Sequence, residues 1–192
     1  TIINALKVCL PLLPHSIGYV LITMSDRFFI DIMLEDGKSQ LGIYTVGYTF
    51  AMIVLVLVDS FSKGYSPWLL KKLNKFSMPH NNYRLMMYML SLPVLIYIIS
   101  SIYFYFFIPP SYFNAIRVIF IIGLGYSFYG MYLTLLPYYI HFKKSMVLGI
   151  ITFIATAFNL WGNYYLIDMY NDIIGAAIST MVSYFLMFIL TF

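Results

Sequence analysis

The sequence predicts an all-α, polytopic membrane protein built from six transmembrane helices. Three observations predict it. Hydrophobic residues make up 62% of the 192 residues and charged ones only 9%, where soluble domains carry about 45–50% and about 25%. Six stretches are long and apolar enough to cross a bilayer. Basic charge then alternates from one connecting segment to the next. A chain with 11 basic and 7 acidic side chains cannot cover a water-facing surface, and a mean hydropathy of +0.87 agrees. Its outside has to be lipid. The 19 Tyr and 17 Phe suit interfacial belts and a wet interior.

About 20 apolar residues span ~30 Å of hydrocarbon. The first stretch, residues 8–32, contains Pro11, Pro14, Asp26 and Arg27. The second, 41–62, is densest at AMIVLVLV, residues 51–58. The third, 85–107, contains Pro93. The fourth, fifth and sixth are 115–140, 146–167 and 173–192. Prolines do not end such spans, because neighbouring helices satisfy the freed carbonyls. Kinks are expected at Pro11, Pro14, Pro93 and Pro137.

The connecting segments test this parse independently. Lys7 precedes the first span, and Glu35 and Asp36 outnumber Lys38 after it. Residues 63–84 hold Lys63, Lys71, Lys72, Lys75 and Arg84 with no acid, and read as a basic loop of some 20 residues. The next segment has no charge before Arg117, a headgroup anchor. Lys143 and Lys144 mark the fourth segment, and Asp168 and Asp172 the fifth. The positive-inside rule then places both termini and the 63–84 loop in the cytoplasm. No Pro/Gly/Ser-rich linker interrupts the chain, so residues 1–192 form one domain. The small residues of 121–130 and Gly175, Ala176 and Ala177 read as faces for close helix packing. The first residue is Thr, and no signal peptide precedes the first span, so the chain reads as part of a longer or processed protein.

Several classes drop out. The net charge of +4 is spread over the loops and forms no nucleic-acid patch. Cys9 stands alone, which leaves no internal disulfide and no thiolate cluster. His15, His80 and His141 are scattered without metal-ligand spacing. No GxSxG, P-loop or dinucleotide-binding glycine pattern occurs, and no cofactor is implied. The expectation is a protein that is not an enzyme and is not itself an ATP-driven pump.

Polar residues inside the spans carry the functional reading, because a charge at mid-bilayer costs at least roughly 2.5–3.5 kcal/mol. Asp26 and Arg27 lie about six residues before the outer end of the first span. Adjacent on a helix, they point about 100° apart and do not pair. Arg27 is within reach of Asp31 one turn on, and Asp26 needs water or another helix. Two roles fit the corner. In one the arginine snorkels to the outer headgroups, and in the other it faces a water-filled cavity and offers positive charge to an anion. Asp59 and Lys63, spaced i,i+4, read as a structural ion pair. Asn159 and Asn163 share a helix face with Thr152, Thr156 and Gly149 nearby, suited either to interhelical hydrogen bonds or to substrate contact. Tyr126, Tyr129, Tyr132, Tyr138 and Tyr139 are candidates for stacking on sugars or for plain packing.

The run SDRFFI at 25–30, LGIYTVGYTF at 41–50, Ser66-Pro67, FNLWGNYYLI at 158–167 and IIGAAISTMVSY at 173–184 together resemble a family. It is the Wzx-type O-antigen and oligosaccharide flippases, in the superfamily that also holds MATE multidrug exporters and lipid II flippases. The likeness covers nearly the whole chain. It implies a twelve-helix protein of two six-helix lobes around a cavity open alternately to each side. This chain would be the C-terminal lobe, with the N-terminal lobe as its partner. The implied cargo is an undecaprenyl-pyrophosphate-linked oligosaccharide, an O-antigen or capsule repeat unit, carried to the outer leaflet of the bacterial cytoplasmic membrane. Arg27 falls on the family's Asp-Arg position, which assigns it to the pyrophosphate or an acidic sugar. Asp26 would orient it or serve coupling to protons or sodium. Asn159 and Asn163 complete the expected substrate-binding set.

Two alternatives stand beside this reading. A MATE-like exporter of cations would favour an acidic, aromatic cavity, which Arg27 opposes. A membrane glycan polymerase would place its catalytic groups in a large external loop, and the external segments here are about 5 to 10 residues. A six-helix subunit without transport of its own is the structural alternative.

Overall fold

A computed structural model of the chain describes residues 13–73 and 82–192. Lys7, Cys9, Pro11, Lys75 and His80, and the start of the first expected span, lie outside the described residues.

Among the described residues six α-helices follow one another: α1 Leu13–Met33, α2 Gly37–Leu73, α3 Asn82–Phe107, α4 Ala115–His141, α5 Ser145–Tyr170 and α6 Ile174–Thr191. A single 3-10 turn, Pro110–Tyr112, sits between α3 and α4. The last four helices match the apolar stretches to within a few residues at each end, because their unbroken runs of Ile, Leu, Phe and Val leave no other place for a boundary. α2, α3, α4, α5 and α6 are each long and apolar enough to cross a membrane. α1 carries His15, Asp26, Arg27 and Asp31 and is not among them, so five helices of the expected six meet that standard within the described residues.

One boundary differs more. The stretch from residue 63 was expected to be loop, yet α2 continues to Leu73 and contains Pro67. At 1.5 Å per residue the 37-residue helix is about 55 Å long, well beyond ~30 Å of hydrocarbon. Pro67 lies about 45 Å from its start, where water is at hand for the carbonyl that loses its N–H partner. Lys72 reaches back over the Trp68 ring, 4.2 Å from its centroid, as an interfacial pair does.

Short connections join α1 to α2, α3 to α4, α4 to α5 and α5 to α6. Asn171 closes the α5–α6 turn with φ 48°, a conformation asparagine tolerates, and the Asp172 carboxylate accepts the Ile174 N–H at 3.2 Å. The bundle therefore has a basic end, with Lys71, Lys72, Arg84, Lys143 and Lys144, and an acidic end, with Asp31, Glu35, Asp36, Asp168 and Asp172.

α4 is the central helix: 72% of its most apolar stretch is buried, against 22% for the peripheral α3. The small residues expected to serve packing do so. A Cβ at Gly130 would stand 2.7 Å from Val58 Cβ, so that site admits the neighbouring helix only as glycine, and one at Gly125 would stand a tight 3.1 Å from Met181 Cα. Ala176 and Ala177 are fully buried.

Candidate functional site

Asp26 sits about 10 Å from the acidic end of the bundle, seven residues before the close of α1. Tyr44 on α2, Asn163 on α5 and Thr180 on α6 lie six or seven residues from the same end of their helices. The alternation of up and down helices thus brings four side chains to one level, although the sequence separates them by up to 154 positions.

The Asp26 carboxylate is fully buried and accepts from all three neighbours. Tyr44 OH donates to Oδ2. Thr180 Oγ1 lies 2.8 Å from Oδ2 and 3.0 Å from Oδ1. Asn163 Nδ2 donates to Oδ1 at 2.9 Å. A second shell of bonds ties the same helices. Ser25 Oγ donates to Asn159 Oδ1 at 2.7 Å and accepts from Asn163 Nδ2 at 3.1 Å. Asn159 Nδ2 donates to Thr180 Oγ1 at 3.2 Å, and Ser179 Oγ donates to the Asn159 carbonyl at 2.9 Å. Asn163 Oδ1 is buried without a hydrogen-bond partner among the described residues. A buried carboxylate is tolerated only when its lone pairs are met, and here three donors from three other helices meet them.

Three of the four expected site residues, Asp26, Asn159 and Asn163, are therefore brought together. Of the two roles open to the asparagines, the fold shows the interhelical hydrogen bonds, from α5 to α1 and α6. Arg27 is placed apart from this knot. It was expected to reach Asp31, but the guanidinium turns the other way, with Nη1 3.3 Å from the Thr23 carbonyl and 3.2 Å from Met24 Sδ. The reason is general to helices, whose side chains tilt toward the N-terminus. The guanidinium carbon lies 5.0 Å from the centroid of the Tyr48 ring, and the side chain is half-buried. Tyr48 stands about 16 Å into α2, so the guanidinium is directed along the bundle away from its acidic end, on a face that also carries the exposed Met24. Among the described residues the ion pair is Lys63 with Asp59, at 2.6 Å on an exposed face, as the spacing indicated.

Sequence reasoning missed Tyr44, Ser25, Ser179 and Thr180. The only signal for them was a hydroxyl in an apolar run, which is common in membrane helices. It also passed over His15, whose Nδ1 lies 2.6 Å from Thr152 Oγ1 and 3.4 Å from Tyr132 OH. The Thr152 hydroxyl also lies 2.9 Å from the Leu148 carbonyl. The tyrosines considered for sugar stacking are mainly core. Tyr126 and Tyr132 are fully buried, and Tyr129 packs between Tyr19, Tyr132 and Tyr184 with ring centroids 5.1–5.9 Å apart.

Chemically, the arrangement has two parts. One is a buried carboxylate held by neutral donors, a group whose chemistry allows it to bind a proton or a small cation. The other is a neighbouring cation on an aromatic face, suited to an anion. The chain matches no protein-family model, no curated protein and no solved structure.

Proposed function

We propose that this chain is one lobe of a membrane transporter that carries a lipid-linked anionic oligosaccharide across the bilayer by alternating access. Its cargo would be an oligosaccharide on undecaprenyl pyrophosphate, and a second six-helix lobe would complete the cavity. The reading rests on the sequence resemblance. What supports it in the fold is the position of Arg27, a partly buried guanidinium directed along the bundle away from the acidic end and over the Tyr48 ring. A snorkelling arginine would extend toward the closer surface. One placed for a pyrophosphate belongs where the headgroup must pass, and its fork suits phosphate oxygens.

In this account Arg27 offsets the headgroup charge, and the Asp26 knot ties α1, α2, α5 and α6 so that they move as a unit. Uptake of a proton or cation by Asp26 would alter those ties and supply coupling. No bond in the cargo is made or broken.

The test is translocation. Vesicles containing the full-length protein are loaded with a fluorescent polyprenyl-pyrophosphate oligosaccharide, and its transfer between leaflets is followed by quenching. Transfer well above that of empty vesicles, and absent for the same glycan on an uncharged polyprenol, is the expected result. Equal transfer in empty vesicles removes the reading.

A further inference from the structure

The basic end of the bundle contains a cavity that the transport reading does not use. It lies between the last turns of α4 and the end of α6, has a volume of about 350 Å³, and is lined by Leu135, Tyr138, Tyr139, Phe142, Lys144, Thr191 and Phe192. Its walls are tied together. Tyr139 OH donates to the Thr191 carbonyl at 2.9 Å, and the Thr191 hydroxyl donates to the Met187 carbonyl at 2.6 Å. The aromatic and aliphatic wall is therefore a fixed feature of the helix pair.

Charge enters from the α4–α5 turn. Lys143 adopts φ 56°, the left-handed region that glycine or asparagine occupies at lower cost. Lys143 N–H bonds the Ile140 carbonyl at 3.1 Å and Lys144 N–H the Tyr139 carbonyl at 2.8 Å, closing α4 directly against the cavity. Lys144 thus lines its mouth, with Lys143 just before it in the same turn and His141 nearby, and all three are exposed. No Asp or Glu occurs in residues 118–167 or 174–191, so α4 from Val118 on, α5 as far as Ile167 and all of α6 supply nothing to neutralise them. Asp59, at the same end on α2, is engaged by Lys63.

We propose that this cavity binds an anionic phospholipid of the surrounding bilayer, with its phosphate at Lys143 and Lys144 and the upper part of one acyl chain against Leu135 and Phe142. Charge complementarity selects this occupant. A neutral lipid would leave two lysines without a counter-charge, and a soluble anion would leave the apolar wall facing water. The site is independent of the cargo. Bound there, the lipid braces α4 against α6 at the basic end.

Retention of phosphatidylglycerol against phosphatidylcholine by the purified chain, followed by native mass spectrometry in detergent, tests the proposal. Each lysine contributes about five-fold to attraction of an anionic lipid, so K143Q/K144Q should lose about ten-fold or more of a clear preference for phosphatidylglycerol. Leu135→Trp fills the cavity with both charges kept, and should weaken retention of phosphatidylglycerol while the melting temperature holds. Wild-type retention that does not distinguish the two lipids overturns the proposal, as does a preference unchanged in both variants. Displacement of the lipid by inorganic phosphate at equal concentration would mark a soluble-anion site and overturns it too.

Discussion

Thr180 Oγ1 lies 2.8 Å from Asp26 Oδ2 and joins the first helix of the bundle to the last. The same hydroxyl accepts from Asn159 Nδ2 at 3.2 Å, so a single threonine closes a loop of bonds through α1, α5 and α6. With Tyr44 from α2, the knot sets the relative height of four helices that apolar packing alone would leave free to slide.

The knot's energetics follow from counting what each change strands. Thr180→Val keeps the shape but removes one donor to Asp26 and the acceptor of Asn159, which should cost about 1–3 kcal/mol per stranded group. Asp26→Ala leaves the Tyr44, Asn163 and Thr180 donors without their acceptor and should cost more. Because the residues share a bond, the double variant should be less destabilised than the sum of the two single changes, by about 0.5–3 kcal/mol. Unfolding in detergent measures all three, and strict additivity would show that the bond contributes nothing.

Close packing makes a contrasting pair of predictions at two glycines. Gly130→Ala places a methyl 2.7 Å from Val58 Cβ, which belongs to a neighbouring helix and cannot swing away. It should destabilise by about 1–3 kcal/mol. Nothing lies within 4 Å of a Cβ at Gly64, so Gly64→Ala should stabilise α2 by about 0.5–1 kcal/mol. Melting temperatures that move in the same direction for both would refute the α2–α4 packing described here.

The orientation of the bundle predicts opposite accessibility for its two ends. Lys72 and Ser111 are both exposed, at the basic and acidic ends respectively. Single cysteines at these positions, in a Cys9→Ser background, should label with a membrane-impermeant maleimide from opposite sides. Labelling of both from one side would contradict the up-and-down order of α2 and α3.

Much of the fold is legible in the sequence because apolar length is a strong signal. α4 and α5 are bounded by charges and turn residues on both sides of an unbroken greasy run, and α6 is so bounded at its start by Asn171 and Asp172. The end of α2 is not legible in this way. Lys63, Gly64, Ser66 and Pro67 carry the residue chemistry of a loop, yet a helix that has left the membrane accepts them because water serves its carbonyls. At the site, Asp26, Asn159 and Asn163 stand out because polar groups are costly at that depth. Their partners Tyr44 and Thr180 do not, since only the three-dimensional order of helices reveals that those hydroxyls share a level with Asp26. The Arg27 direction depends on the backward tilt of helical side chains, which spacing to Asp31 does not express.

The transport proposal rests on Arg27 meeting an anion, and substitution there separates binding from folding. The side chain makes two long contacts and a ring contact, so Arg27→Ala should keep the wild-type melting temperature within a few degrees. The decisive measurement is the rate of leaflet-to-leaflet transfer of a polyprenyl-pyrophosphate oligosaccharide by Arg27→Ala and Arg27→Lys in vesicles. The account predicts that transfer is abolished in the alanine variant and partly kept in the lysine variant. Wild-type transfer by a folded Arg27→Ala protein would contradict it.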